Sequence, residues 1–75
     1  MFTVYTKSTC SYCVKAKQLL SSKSIEFLEK NIETPELRLE LLAIYPEVKT
    51  VPQIYLGDVR IGGYDDLVKY FEQTI

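Results

Sequence analysis

The sequence predicts an α/β fold: a four-stranded mixed sheet flanked by three helices, in the order βαβαββα. Three observations carry this. Phe2–Thr6 is a short β-branched and aromatic run followed at once by helical spacing and then by a second strand-like run. A strand, a helix and a strand this close together form a right-handed βαβ unit with parallel strands. Further on, Gly57-Asp58 stands between two apolar runs as a two-residue hairpin signal, which adds antiparallel strands to the same sheet.

Each element has its own warrant. Phe2–Thr6 is apolar on both faces, as suits a strand buried in the middle of a sheet. Lys7-Ser8-Thr9 breaks the pattern, and from Ser11 to about Ser22 Tyr12, Ala16, Leu19 and Leu20 share one helical face, with Lys15, Lys17 and Gln18 on the other. Thr9 or Cys10 starts this helix. Ser21, Ser22, Lys23 and Ser24 end it, and residues 25–30 read as the second strand. Thr34, Pro35 and Glu36 open a second helix as cap, first-turn proline and acid near the positive end, and Pro46 stops it. Leu37, Leu41, Ile44 and Tyr45 are its expected buried stripe, broadened by Leu39 and Leu42. Val48 to Pro52 leads into a strand at Gln53–Leu56, with the return strand at residues 59–61. Gly62-Gly63-Tyr64 is a flexible point. Asp65 and Asp66 then form an acidic first turn ahead of Leu67, Val68, Tyr70 and Phe71 at helical spacing.

The chain has 75 residues, the size of one domain over residues 1–75, with no linker, repeat or low-complexity segment. Apolar residues are 47% and charged residues 25%, the balance of a soluble globular protein. A net charge of −1 with scattered Lys and Arg offers no basic stripe, so nucleic acid is not expected as a partner. No apolar run is long enough to span a bilayer, and no signal peptide is visible. No membrane partner is expected, and the expected location is cytoplasmic.

Thr9-Cys10-Ser11-Tyr12-Cys13 holds the only two cysteines of a chain without histidine. A C-x-x-C pair has three common explanations: half a zinc site, a structural crosslink or a redox-active dithiol. Zinc needs four ligands, usually from Cys and His, so one copy cannot supply a tetrahedral site and no metal is expected. A structural bond is disfavoured by a reducing compartment, and closing so short a loop gains little. A redox pair remains. At a helix start, unpaired N–H groups and the dipole stabilise a thiolate, so Cys10 is the expected nucleophile with a depressed pKa, and Lys7 adds positive charge nearby. Cys13, one turn on, lies within reach of a disulfide and deeper, which suits a resolving thiol. For Cys13 alone the plainer alternative is a small buried apolar residue.

Tyr5-Thr6-Lys7 before Cys10-Ser11-Tyr12-Cys13, then Thr50-Val51-Pro52, then Gly62-Gly63-Tyr64-Asp65-Asp66-Leu67, resembles a short dithiol glutaredoxin of the thioredoxin superfamily across essentially the whole chain. The resemblance implies a thioredoxin-like fold and a glutathione-dependent thiol–disulfide oxidoreductase that uses glutathione as co-substrate. It implies that Pro52 is cis, leaving the backbone of Val51 free to pair with an extended peptide, where the plainer alternative is a trans proline opening a strand. It further implies a glutathione site made of Lys7, Tyr12, Thr50, Val51, Pro52, Gly63, Tyr64, Asp65 and Asp66. Lys7, with Lys49 second, is the candidate for the glycine carboxylate. The N–H groups of Tyr64 and Asp65 suit the γ-glutamyl carboxylate and the Asp65 side chain the ammonium, while Tyr12 walls the groove. For Asp66, ligand contact and a first-turn dipole charge weigh equally. Ser11 stands where the family most often has proline. Implied partners are glutathione and disulfide-containing proteins, ribonucleotide reductase among the candidates, with the protein a monomer. Two alternatives stay open: a carrier of a [2Fe-2S] cluster ligated with glutathione at a dimer interface, and an electron donor reduced by thioredoxin reductase.

Overall fold

Cysteine 10 sits where the central strand hands over to the first helix, and the fold is built around that handover. A computed structural model describes residues 1–73. Along the chain run β1 (Phe2–Thr6), α1 (Ser11–Ser22), β2 (Phe27–Asn31), α2 (Pro35–Ile44), β3 (Gln53–Leu56), β4 (Val59–Gly62) and α3 (Tyr64–Gln73). This is the expected order βαβαββα. The sheet runs β2-β1-β3-β4, with β1 parallel to β2 and antiparallel to β3, and β3 antiparallel to β4.

Because side chains alternate across a strand, the sheet separates two cores. Phe2 and Val4 of β1 and Ile54 of β3 pack with Ala16 and Leu20 of α1 and Leu67 of α3. Tyr5 and Tyr55 face the other way, against Leu41 of α2. Two polar clamps tie the layers together. Lys17 of α1 and Thr6 of β1 both donate to Glu29 of β2 at 2.9 Å. Tyr5 donates to Glu40 of α2 at 2.6 Å, and Lys30 of β2 pairs with the same carboxylate. Burial and the Glu40 charge push the Tyr5 hydroxyl well above its usual pKa, so it stays a proton donor.

Several elements differ in detail from the sequence reading. The second strand begins at Phe27 rather than Ile25, because Ile25 is consumed in ending α1. Ser24 takes a left-handed φ of 58°, its N–H donates to Ser21 O, and the Ile25 N–H reaches back to Leu20 O at 3.0 Å. This is a Schellman ending, with Ile25 folded onto the core. Tyr12 leaves the buried face of α1 and is 53% exposed, because the buried stripe is centred on Cys13, Ala16 and Leu20. Similarly, Ile44 is 51% exposed and Tyr45 lies just past the end of α2, leaving Leu41 as its buried residue. Thr34 opens α2 in extended conformation but makes no side-chain cap. Finally, β4 extends to Gly62, and an irregularity between Ile54 and Tyr55 sets Gly62 opposite Ile54 and Arg60 opposite Tyr55. The helix then starts at Tyr64, closer to Gly63 than the acidic pair implied.

Candidate active site

Cys10 is the N-cap of α1, with extended backbone at φ −140° and ψ 106°. Its carbonyl accepts the N–H of Val14, and its Sγ accepts the N–H of Cys13 at 3.1 Å. A sulfur thus fills the place where a serine or aspartate oxygen usually satisfies a first-turn donor. Cys13 is 1% exposed, its Cα lies 5.2 Å from that of Cys10, and the two sulfurs are paired as a disulfide. The pair is therefore asymmetric: Cys10 is partly accessible and Cys13 lies behind it in the core.

Across from the helix start, the Val51–Pro52 peptide is cis, as the resemblance implied. The Val51 carbonyl oxygen lies 3.6 Å from Cys10 Sγ. Gly63 packs beside the same loop, where a Cβ built on it would meet the Pro52 carbonyl oxygen in ordinary contact at 3.7 Å. Tyr64, next in the chain, brings its ring to 6.0 Å from that of Tyr12, with Lys15 5.0 Å from the Tyr12 ring on α1. One cluster therefore comprises Cys10, Tyr12, Val51, Pro52, Gly63 and Tyr64.

Lys7, Lys49 and Thr50 belong to a second cluster that meets the first at Val51. They line an open groove of about 740 Å³ between the active-site loops and α2. Asp65 is exposed on the first turn of α3, outside the groove. Asp66 turns back on its own helix, where its carboxylate accepts the Gly63 N–H at 3.1 Å. Since the Leu67 N–H donates to Gly63 O, Gly63 acts as N-cap and Asp66 closes the box from the third helical position.

Three groups that shape the site escaped the sequence reading. Gln53 is 3% exposed; its Nε2 donates to Thr50 O at 2.9 Å and its Oε1 accepts from Arg60 Nε at 3.1 Å. Arg60 in turn lies 4.4 Å over the Tyr45 ring. This chain of contacts holds the loop carrying Thr50 and Val51 against β3. The signal for it was a polar residue inside a strand otherwise buried, which has to find partners. The Ser8 loop is held likewise: Asn31 donates to Ser8 Oγ at 3.1 Å, Ser8 donates to the Glu33 carboxylate, and the Glu33 N–H donates to Asn31 at 2.8 Å. The Ser8 hydroxyl, helped by Asn31 and the Lys7 charge and opposed by desolvation, keeps Glu33 below the usual carboxylate range. Arg38 lines the groove from α2, and no sequence spacing linked it to residues 49–51.

Comparison with known proteins agrees with this geometry. The family model described as glutaredoxin matches residues 2–61. A glutaredoxin from Pseudomonas aeruginosa is 48% identical over 65 residues, covering 85% of this chain and 76% of that protein. Glutaredoxin 3 of Escherichia coli K12 is 45% identical over 64 residues, covering 85% and 77%. Among solved structures, a buckwheat glutaredoxin in complex with glutathione superposes with a TM-score of 0.81 at 22% identity, covering 97% of this chain and 69% of that one, which shows the shared thioredoxin-like fold. A C-x-x-C pair at disulfide distance on this scaffold is that of a thiol oxidoreductase. With the family model spanning most of its length and relatives close to half identical, the chain belongs to the glutaredoxin family.

Proposed function

We propose that this protein is a glutathione-dependent thiol–disulfide oxidoreductase that reduces glutathione mixed disulfides and protein disulfides in the cytoplasm. The observation that carries the reading is the placement of Cys10 Sγ, which receives a helix N-terminal N–H, lies beside the Val51 carbonyl and is backed by a buried partner cysteine. In the one-cysteine reaction the Cys10 thiolate attacks the glutathione sulfur of a mixed disulfide. The substrate leaves as a thiolate and takes a proton, and a second glutathione thiolate then attacks the bound glutathione sulfur, releasing oxidised glutathione and Cys10. With a protein disulfide, Cys10 attacks first. Cys13 then displaces the substrate's second sulfur to leave the Cys10–Cys13 disulfide, which two glutathione molecules reduce. The family's potentials of about −200 to −230 mV make that last step feasible in a reducing compartment.

Glutathione would lie across both clusters. Its cysteine backbone pairs with Val51 beside Pro52, in the manner of an added strand. Lys7, with Lys49 second, faces the glycine carboxylate, and Arg38 on the same groove joins them. Tyr12 and Tyr64 form the wall on the α3 side, and the first N–H groups of α3 meet the γ-glutamyl carboxylate, with Asp65 for the ammonium. Asp66 contributes through Gly63, whose N–H it holds.

A glutathione-coupled assay tests the reading. Cys10→Ser is expected to abolish both reactions, whereas Cys13→Ser keeps removal of glutathione from mixed disulfides and loses reduction of protein disulfides. Activity that survives Cys10→Ser refutes the assignment. Titration of the reduced protein with reduced glutathione, with which it has no disulfide to exchange, is expected to perturb the amide shifts of Val51, Tyr64 and Asp65 first; an unperturbed Val51 would place glutathione elsewhere.

A further inference from the structure

The groove alongside α2 contains more than glutathione needs. Glutathione presents carboxylates, amides and an ammonium, and has no side chain beyond its reacting cysteine to cover an apolar surface. Yet Leu39 projects from α2 with 66% of its surface exposed, and Leu42, Pro35 and Val48 line the same groove. The charges there are also unlike the rest of the molecule. Lys7, Arg38 and Lys49 line it against one carboxylate, Glu33, in a protein whose net charge is −1. Neither Arg38 nor Lys49 is in an ion pair among the described residues. The Glu33 carboxylate accepts the Ser8 hydroxyl, and the Glu33 backbone N–H donates to Asn31, both on the side of the active-site loop. At the inner end of the groove the Val51 N–H has no hydrogen-bond partner within the described residues, which leaves a donor for an incoming extended chain.

We propose that this groove receives the polypeptide of a protein disulfide, and that it selects segments in which acidic residues and a leucine-sized apolar side chain flank the reacting cysteine. The inference rests on the oxidoreductase reading and names its protein substrate class. The segment pairs with Val51, its carboxylates face Arg38 and Lys49, and its apolar side chain covers Leu39 and Leu42. It occupies the groove while its cysteine is joined to Cys10. Cys10 thiolate breaks the substrate disulfide and forms the mixed disulfide, releasing one substrate thiol after protonation. Cys13 thiolate then attacks Cys10 Sγ and expels the second substrate sulfur, which takes a proton. Two electrons pass to the substrate, and the protein ends as the Cys10–Cys13 disulfide.

The test uses two short synthetic peptides closed by the same Cys–Cys disulfide, one with Asp, Glu and Leu beside the cysteines and one with Lys and Ser there. Peptide thiol release by the reduced protein is followed at low and high salt, together with turnover of the mixed disulfide of glutathione and cysteine on the same samples. The acidic, leucine-bearing peptide is expected to react about tenfold faster at low salt, with the preference shrinking as salt screens the exposed cations. Leu39→Asp, at an exposed helix position that should not disturb folding, is expected to cut that preference about fivefold or more by removing apolar contact and adding a like charge. Equal reduction of the two peptides, or a preference untouched by Leu39→Asp, overturns the assignment of the groove. If the glutathione–cysteine disulfide is turned over while the peptides are not distinguished, this inference alone falls. If that disulfide is not turned over, the oxidoreductase reading falls and takes the inference with it.

Discussion

Thr6 closes β1 fully buried, and its hydroxyl donates to one acceptor, the Glu29 carboxylate, which also holds Lys17. The Lys17 hydrogen bond, then that of Thr6, keeps Glu29 below the usual carboxylate range against an opposing desolvation. Two substitutions separate the roles of charge and acceptor. Glu29→Gln keeps an oxygen for Thr6 and loses only a half-exposed ion pair, so it should cost less than about 1 kcal/mol. Glu29→Leu strands a buried hydroxyl directly upstream of the active-site loop, and should cost about 1 to 3 kcal/mol. Urea denaturation of the two variants checks this, and equal losses would mean that Thr6 finds another acceptor. The same logic explains why single residues were unevenly legible in the sequence. Cys10 and Cys13 announced themselves because two thiols at that spacing have few uses. Val51, Gly63 and Tyr64 were reachable through family resemblance, since nothing in their own chemistry demands a site. Gln53 and Arg60 carry no motif; their role exists only because the hairpin brings Arg60 within 3.1 Å of Gln53.

Helix and strand types could be read from periodicity, whereas their ends depended on caps that linear pattern does not resolve. Ile25 looks like strand because it is β-branched and precedes Phe27, but in the folded chain it completes the ending of α1 over a left-handed Ser24. That conformation disfavours a side chain, so Ser24→Gly should stabilise the protein by about 0.5 to 1 kcal/mol, after the greater freedom of glycine in the unfolded chain is allowed for. A higher urea midpoint with an unchanged slope is the expected result; a lower one would mean that the serine makes a compensating contact. The β4–α3 junction makes the opposite case. Gly62 has a φ of 123°, and any Cβ there would run into the Asp66 carboxylate that caps α3. Gly62→Ala should therefore cost about 1 to 3 kcal/mol from backbone strain alone. Because it also displaces Asp66 from Gly63, it should weaken glutathione binding. Gly57 turns the β3–β4 hairpin at a φ of 60° with nothing within 4 Å of a built Cβ, so Gly57→Asn should be nearly neutral for both stability and glutathione. If Gly62→Ala left the glutathione titration unchanged, the junction would have no part in the site.

At the scale of the molecule, the sheet divides the stabilisation unequally. On one side α1 and α3 share a core built from Phe2, Val4, Ala16, Leu20, Ile54 and Leu67. On the other, α2 buries only Leu41, against Tyr5 and Tyr55, and relies for the rest on the bonds of Glu40 to Tyr5 and Lys30. The sequence led us to expect a broad apolar stripe on α2, and its narrowness became visible only once Leu39 and Ile44 proved to be exposed. The difference matters because α2 forms a wall of the groove that ends at Val51. Glu40 is held below the usual carboxylate range by the Lys30 hydrogen bond first and that of Tyr5 second, and Glu33, at the foot of α2, is lowered by Ser8. A carboxylate lowered in the folded state contributes stability that is present above its unfolded pKa, near 4.3, and is lost as pH falls through the folded value. Thermal stability should therefore be flat from about pH 7 to 5 and decline below about pH 4.5, as these bonds are protonated away. The loss should begin at α2, whose apolar anchoring is the smaller. Hydrogen exchange compared above and below the carboxylate range is expected to expose the amides of α2 before those of α1 and α3, with Glu40→Gln bringing that opening to higher pH. Uniform loss of protection across all three helices would show that both cores unfold as one unit, and that the Glu40 clamp does not set the stability of the groove wall.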